Sequence, residues 1–312
     1  MRNRLRFVAA SALARVGVCF CACVATGAWA GVASSQEALR AKVAAIAAEA
    51  KGTVYVACAL PGSQLNCDLN PTGRPPMQSV FKLPVVVTAL HQIESGKLTL
   101  DQKVRFLASD RILPNTHSEL QKKYPQGGVN VTVEELMKGA ITDSDNVAVD
   151  ILLRAVGGPQ VVTEYITSLG VEGFHLEDGE DGLASGVQVQ FNNWFEPAGA
   201  VALLERLANN SPLTAEHNEL LFGWLEHLNN GAARIPGDLP VGTVVAHKTG
   251  SSGTEHGLTY ATNDIGLITL PDGRRLAVAV FATNSHADDA AREAVIAKIA
   301  RAAYDEAVRE DK

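Results

Sequence analysis

TVVAHKTGSSGTEHGLTYATNDIGLITLPDGRRLAVAVFAT, residues 243–283, is the stretch on which the fold turns. Residues 243–249, 260–270 and 276–283 are runs of β-branched and apolar residues with strand periodicity, and Asp272-Gly273 supplies the hairpin turn between the last two. Residues 288–309 follow as an amphipathic helix with Val295, Ile299, Ala302 and Val308 on its inner side. The other end of the chain mirrors this order. Residues 36–50 read as a helix with Leu39, Val43, Ile46 and Ala47 on one face, and strands are expected at about 53–60 and 65–70.

Between these ends the chain reads as helical. Residues 77–96 are strongly apolar and stop at Ser95-Gly96, and Thr132 to Glu135 matches a capping box that opens another helix. Residues 108–130 look polar and loop-rich, and a Gly- and Asp-rich loop at 177–188 interrupts helices that run to about 228. Strands near both termini meet most simply in one antiparallel sheet, covered by the two terminal helices, with the central helices as a second lobe. The expected class is α+β and two-lobed: a five-stranded antiparallel sheet with flanking helices plus an all-helical lobe, and a site in the groove between them. The expected division is an α/β lobe from 31–76 and 235–312 and a helical lobe from 77–234.

The 312 residues, 46% hydrophobic and 20% charged, are ample for two closely packed lobes. Residues 1–30 stand apart: Arg2, Arg4 and Arg6, then an apolar run broken by Arg15, then Ala28-Trp29-Ala30. That is the pattern of an export signal cleaved near Ala30, with the periplasm or the exterior as destination. A buried N-terminal helix, or a lipid anchor at Cys21 or Cys23, are the other readings. Without those four arginines, 23 of the 27 Lys+Arg face 34 Asp+Glu, a net charge of −11 that suits no nucleic-acid partner. Nothing calls for stable membrane association, and a monomer is expected. Cys58 and Cys67 flank Pro61 to Gln64, so a turn at Gly62-Ser63 sets them opposite each other, either disulfide-bonded or as packed free thiols. The eight histidines are scattered without metal-ligand spacing, and no Gly-rich phosphate loop follows a strand, so no metal or other cofactor is expected.

Three short constellations carry chemistry. Ser79-Val80-Phe81-Lys82 heads the apolar helix, and a spacing of three puts hydroxyl and amine on one helical face. A serine needs a base to become a nucleophile, and a helix start adds N–H groups for an oxyanion. Ser144-Asp145-Asn146 offers a second hydroxyl for proton relay and an amide to hold a substrate amide. Lys248-Thr249-Gly250, ending a strand, offers a cation and a hydroxyl for a carboxylate, with a glycine that lets a ligand approach the strand edge. Taken singly, each reads more readily as a helix cap, a polar turn or an edge strand. The set in this order is specific.

With that set in hand, residues 36–309 resemble the class A serine β-lactamases, in the branch of the PER and VEB extended-spectrum enzymes. Met77 to Lys82, Val189 to Trp194 and Val244 to Gly273 carry the likeness. It implies that Ser79 opens a β-lactam with Lys82 or Glu180 as base, that Ser144 protonates the leaving nitrogen, and that the Ser79 and Ser251 N–H groups hold the oxyanion. It implies a glutamate that activates water on a loop near 177–192. Glu177, Glu180 and Glu196 are the candidates; Glu196 comes too late, after Trp194, and Glu180 fits by its distance from Ser144 and Lys248 and by the pattern Glu180-Asp181-Gly182-Leu183. Asn146, Lys248, Thr249, Gly250, Arg234, Gln78 and His117 would touch substrate, Arg234 as a second cation for the carboxylate and His117 at the mouth. One departure stands out: Ala184 follows Leu183 where most class A enzymes have asparagine, and Gln78 is the candidate to compensate. Neither Gln78 nor Ser251-Ser252 is the cysteine of the cross-site disulfide found in several class A carbapenemases. The resemblance therefore implies penicillins and cephalosporins as substrates, oxyimino-cephalosporins among them, and carbapenems poorly.

Overall fold

The structure is a computed structural model that describes residues 25–114 and 116–309, with only the backbone over 25–34. The expected export segment and its cleavage site near Ala30 thus lie outside the residues whose side chains are described. In chain order the helices are α1 (Ala25–Ala47), α2 (Lys82–Glu94), α3 (Glu119–Lys123), α4 (Val133–Thr142), α5 (Asn146–Val156), α6 (Pro159–Ser168), α7 (Glu180–Leu183), α8 (Pro197–Asn209), α9 (Ala215–Leu225) and α10 (Asp289–Arg309). The strands are β1 (Thr53–Ala59), β2 (Lys103–Arg105), β3 (Asn130–Thr132), β4 (Phe174–His175), β5 (Trp194–Phe195), β6 (Val245–Ser251), β7 (Thr254–Glu255), β8 (Leu258–Thr259), β9 (Thr262–Thr269) and β10 (Arg275–Thr283).

The main sheet runs β1-β10-β9-β6, antiparallel throughout, so the last strand of the chain lies beside the first. Strand alternation explains its two-sided burial. From β10, Leu276, Val278, Val280 and Ala282 join Leu39 and Val43 of α1 and Val295, Ile299 and Ala303 of α10 in one core. Ala277, Ala279 and Phe281, on the opposite face, join the core of the helical lobe. A fully buried Phe281 or Val280 contributes on the order of 2 kcal/mol each by leaving water. α2 is buried from Lys82 to Leu90 and is the central post of the helical lobe, as its all-round apolar sequence requires. α4 opens on the expected capping box, Glu135 N–H donating to Thr132 Oγ1 at 3.1 Å and Thr132 N–H to Glu135 Oε2 at 2.9 Å.

Two expectations change. Among the described residues the main sheet has four strands rather than five, because 65–70 touches β1 only at the bridge Val56–Leu69. The register is nonetheless that of a turn at Gly62-Ser63, and Cys58 and Cys67 are joined as a disulfide with Cα atoms 5.7 Å apart. The 108–130 region, read as loop, contains α3 and leads into β3, which pairs with β2. Two-residue pairs β4–β5 and β7–β8 were also outside the sequence reading, being too short to show a period.

Candidate active site

Ser79 does not sit in the first turn of α2 but in the 3-10 turn Gln78–Phe81 that leads into it. Gln78 has φ +48°, a left-handed conformation that a glutamine adopts only when held. Val80 N–H closes the turn on Met77 O at 3.2 Å. Pro84 is the third residue of α2, where no intrahelical partner would await its N–H.

Ser79 Oγ donates to Glu180 Oε1 at 3.2 Å, and Lys82 Nζ lies 2.9 Å from the same oxygen. Lys82 Nζ also donates to Ser144 O and to Asn146 Oδ1, both at 2.6 Å. Those three close acceptors match the three N–H bonds of an ammonium and leave no lone pair for base catalysis. Glu180 Oε1 is thus the carboxylate oxygen that faces both the Ser79 hydroxyl and the Lys82 amine. Ser144, at φ +54°, caps the far side of the cluster. Its hydroxyl accepts from Lys248 Nζ at 3.0 Å and faces Lys82 Nζ at 3.4 Å, which leaves its own proton to be donated elsewhere.

Lys248 is fully buried on β6, bonded to Ser144 Oγ and at 2.9 Å to Thr249 O. Burial first, then the charge of Lys82, holds its pKa well below the ordinary lysine value. A depressed pKa means that the charge is lost at lower pH than on a surface lysine. An anionic ligand beside it would restore the charge. The alkaline limb of kcat/KM, which reports the free enzyme, is thus expected below the ordinary lysine range, with a smaller fall in kcat. A kcat/KM profile flat up to that range would refute the assignment of Lys248 as the depressed cation.

Thr249 Oγ1 donates to Asn230 Oδ1 at 2.6 Å. Gly250 is needed for a reason other than ligand approach: a Cβ there would stand 2.6 Å from Met77 O and crowd Gln78 and Val80. The strand edge packs on the floor that carries Ser79. Arg234 lies in a turn beside β6, donating to Asn263 O at 2.8 Å and Ser251 Oγ at 2.7 Å and pairing with Glu293 at 3.1 Å. Asn146 Nδ2 donates to Thr116 Oγ1 at 2.9 Å, leaving one N–H of its amide. His117 is exposed at the mouth, its Nε2 2.7 Å from Asp143 O.

A cleft of about 450 Å³ opens over these groups, between the 183–190 segment on one side and 251–260 on the other, with Thr116 and His117 at one end. Ala184 lines it. Gln78 Nε2 donates to Gln190 Oε1 at 2.7 Å, so it ties the Ser79 turn to the loop without touching Glu180. Glu177 and Glu196 are placed elsewhere: Glu177 lies 3.7 Å from His175 with its side chain exposed, and Glu196 lies 3.3 Å from Arg74. Among the described residues no cluster of His, Cys, Asp and Glu could hold a metal.

Sequence reasoning missed the residues that hold the loop. Asp150 of α5 accepts Glu180 N–H through Oδ1 and Asp181 N–H through Oδ2, each at 2.7 Å. Burial pushes its carboxyl up to about 7, although both N–H groups favour its charge. A signal existed, since an acid in NVAVDILLRAV four residues after Asn146 shares that residue's helical face. Asn193, fully buried, accepts Glu177 N–H and Asp178 N–H at 2.8 and 3.0 Å, and its carbonyl accepts Met77 N–H at 3.1 Å. No pattern in the sequence marks it.

The profile of the Beta-lactamase enzyme family matches residues 38–307. The extended-spectrum beta-lactamase PER-1 of Pseudomonas aeruginosa is 40% identical over 266 residues, which is 85% of this chain and 86% of that protein. Beta-lactamase VEB-1 of the same organism is 33% identical over 228 residues, 72% of this chain and 76% of that protein. The crystal structure of a beta-lactamase from Chitinophaga pinensis superposes with a TM-score of 0.82 at 40% identity, covering 86% of this chain and 99% of that one.

Proposed function

Because the chain belongs to the beta-lactamase enzyme family, and is a class A serine enzyme that hydrolyses β-lactams, we propose that the reaction runs through an ester on Ser79. The observation that carries this reading is the single oxygen, Glu180 Oε1, within reach of both Ser79 Oγ and Lys82 Nζ. Ser79 Oγ attacks the lactam carbonyl carbon while its proton passes to Glu180. The oxyanion takes hydrogen bonds from the Ser79 and Ser251 N–H groups. As the C–N bond breaks, its electron pair stays on nitrogen, which takes the Ser144 proton; Lys82 resupplies that hydroxyl across 3.4 Å and recovers a proton from Glu180 across 2.9 Å, so that Glu180 is a carboxylate again. Water then gives a proton to Glu180 and attacks the ester, and Ser79 leaves with its proton restored. Lys248, Thr249 and Arg234 hold the substrate carboxylate, and Asn146, Gln78 and His117 line the side-chain path.

The same reading makes residues 1–30 an export signal, divides the rest into 31–76 with 235–312 and 77–234, and gives a periplasmic or secreted monomer. No helix among the described residues is long and apolar enough to cross a membrane.

The open cleft between 183–190 and 251–260 has room for a branched oxyimino group. Steady turnover is expected with a chromogenic cephalosporin and with ceftazidime, and poor turnover with imipenem. Steady-state kinetics on the three substrates checks this. A single stoichiometric burst with the chromogenic substrate points instead to a peptidase-like acylation trap. Efficient imipenem turnover with negligible ceftazidime turnover reverses the substrate assignment.

A further inference from the structure

Asn263 lies on β9, fully buried, on the face of the sheet that meets the helical lobe. Its Nδ2 donates to Pro76 O at 2.9 Å and to Met77 O at 3.2 Å. Met77 O is also the acceptor that closes the Ser79 turn, through Val80 N–H. Asn263 Oδ1 is buried with no hydrogen-bond partner, so the amide sits there for its two donors and leaves its acceptor unmet. That arrangement costs free energy that a purely packing residue would not incur. The same residue reaches the other half of the site through its backbone. It pairs with Gly250 across the sheet, one position before Ser251, and its carbonyl accepts Arg234 Nη1 at 2.8 Å.

We propose that Asn263 is the positioning residue of the oxyanion hole: its side chain fixes the turn that bears the Ser79 N–H, and its backbone fixes the strand end that bears the Ser251 N–H. This rests on the reading of those two N–H groups as the oxyanion donors. The two donors come from segments 172 positions apart in the chain, on different lobes. Backbone atoms of β6 and the Met77 corner touch with no side chain between them, as the Gly250–Met77 contact requires. Asn263 is the residue bonded to both. It also holds Gln78 indirectly in its left-handed conformation, since the carbonyls on the chain just before Gln78 are the ones clamped.

The chemistry of the clamp selects the test. Asn263→Asp keeps shape but sets a carboxylate against two carbonyl oxygens. Asn263→Ser keeps one donor in a smaller side chain. Each variant is measured for kcat/KM, for affinity toward 3-aminophenylboronic acid, whose tetrahedral adduct places an oxygen in the hole, and for ester on Ser79 by mass spectrometry. A displacement of the donors by about 1 Å costs on the order of 10²-fold. Expected for Asn263→Asp is a loss of that size in kcat/KM with a parallel loss of boronate affinity. No ester accumulates, because acylation and deacylation use the same hole. Asn263→Ser falls between, and carries the comparison alone if the aspartate variant does not fold. Unchanged boronate affinity in a folded variant overturns the proposal, whether activity is retained or lost: a merely structural residue lowers the active fraction and leaves the affinity of that fraction intact. Absence of any adduct on Ser79 in Glu180→Gln, the variant expected to hold the ester, overturns the underlying assignment of the nucleophile instead.

Discussion

Ser79→Ala is expected to show no measurable steady hydrolysis of any β-lactam while melting close to the unsubstituted protein. The hydroxyl removed is half-exposed and makes one hydrogen bond, to Glu180 at 3.2 Å, so little packing depends on it. Changes of this kind usually stay within about 1 kcal/mol of the starting stability. Catalysis is another matter. Loss of the nucleophile in a serine hydrolase costs roughly 10⁶-fold, and what remains comes from substrate binding and the oxyanion donors alone. Substrate should still bind, because Lys248, Thr249 and Arg234 keep their places without Ser79. Equilibrium binding of a cephalosporin to the variant, with no adduct by mass spectrometry, is the matching readout. Steady turnover by folded Ser79→Ala would remove Ser79 from the mechanism.

The parts of this site that were legible in the sequence share one property: their residues are neighbours along an element with a fixed period. Ser79 and Lys82 are three apart at a helix start, Ser144 and Asn146 bracket a helix cap, and Lys248 to Gly250 lie along one strand. The fold was legible for the same reason. β9, β10 and α10 have length and period enough to declare themselves, whereas β4, β5, β7 and β8 have two residues each and no period to show. The strand expected at 65–70 failed because alternation cannot say whether a partner ladder continues past its first bridge at Val56–Leu69.

What stayed illegible is contact between segments far apart. Glu180 Oε1 receives both Ser79 and Lys82, and no spacing rule anticipates that geometry across about a hundred residues. The clamp of Asn263 on Pro76 and Met77 and the anchor of Asp150 under Glu180 are of the same kind. Gly250 illustrates a subtler limit. Glycine was needed there, but the atom that needs the space is Met77 O of the enzyme itself.

The shared oxygen makes the second large effect specific. Glu180→Gln is expected to acylate slowly and to deacylate far more slowly, so that the ester accumulates. The amide side chain keeps the shape but accepts no proton from water. General-base help is worth about 10²–10⁴-fold, so the deacylation barrier rises by roughly 3–5 kcal/mol. Acylation suffers less because Lys82, on the same helical face as Ser79, remains as a second base for the Ser79 proton once the Glu180 carboxylate no longer holds it at 2.9 Å. Asp150 still anchors the loop through the N–H groups of Glu180 and Asp181, which the substitution leaves in place. Glu177→Gln and Glu196→Gln should be nearly neutral, since one carboxylate is exposed beside His175 and the other pairs with Arg74. Mass spectrometry after mixing each variant with a penicillin decides it: a persistent adduct on Ser79 is expected for Glu180→Gln alone. An adduct in Glu196→Gln with normal turnover in Glu180→Gln would move the hydrolytic water to the other end of the loop, away from the oxygen that Ser79 and Lys82 share.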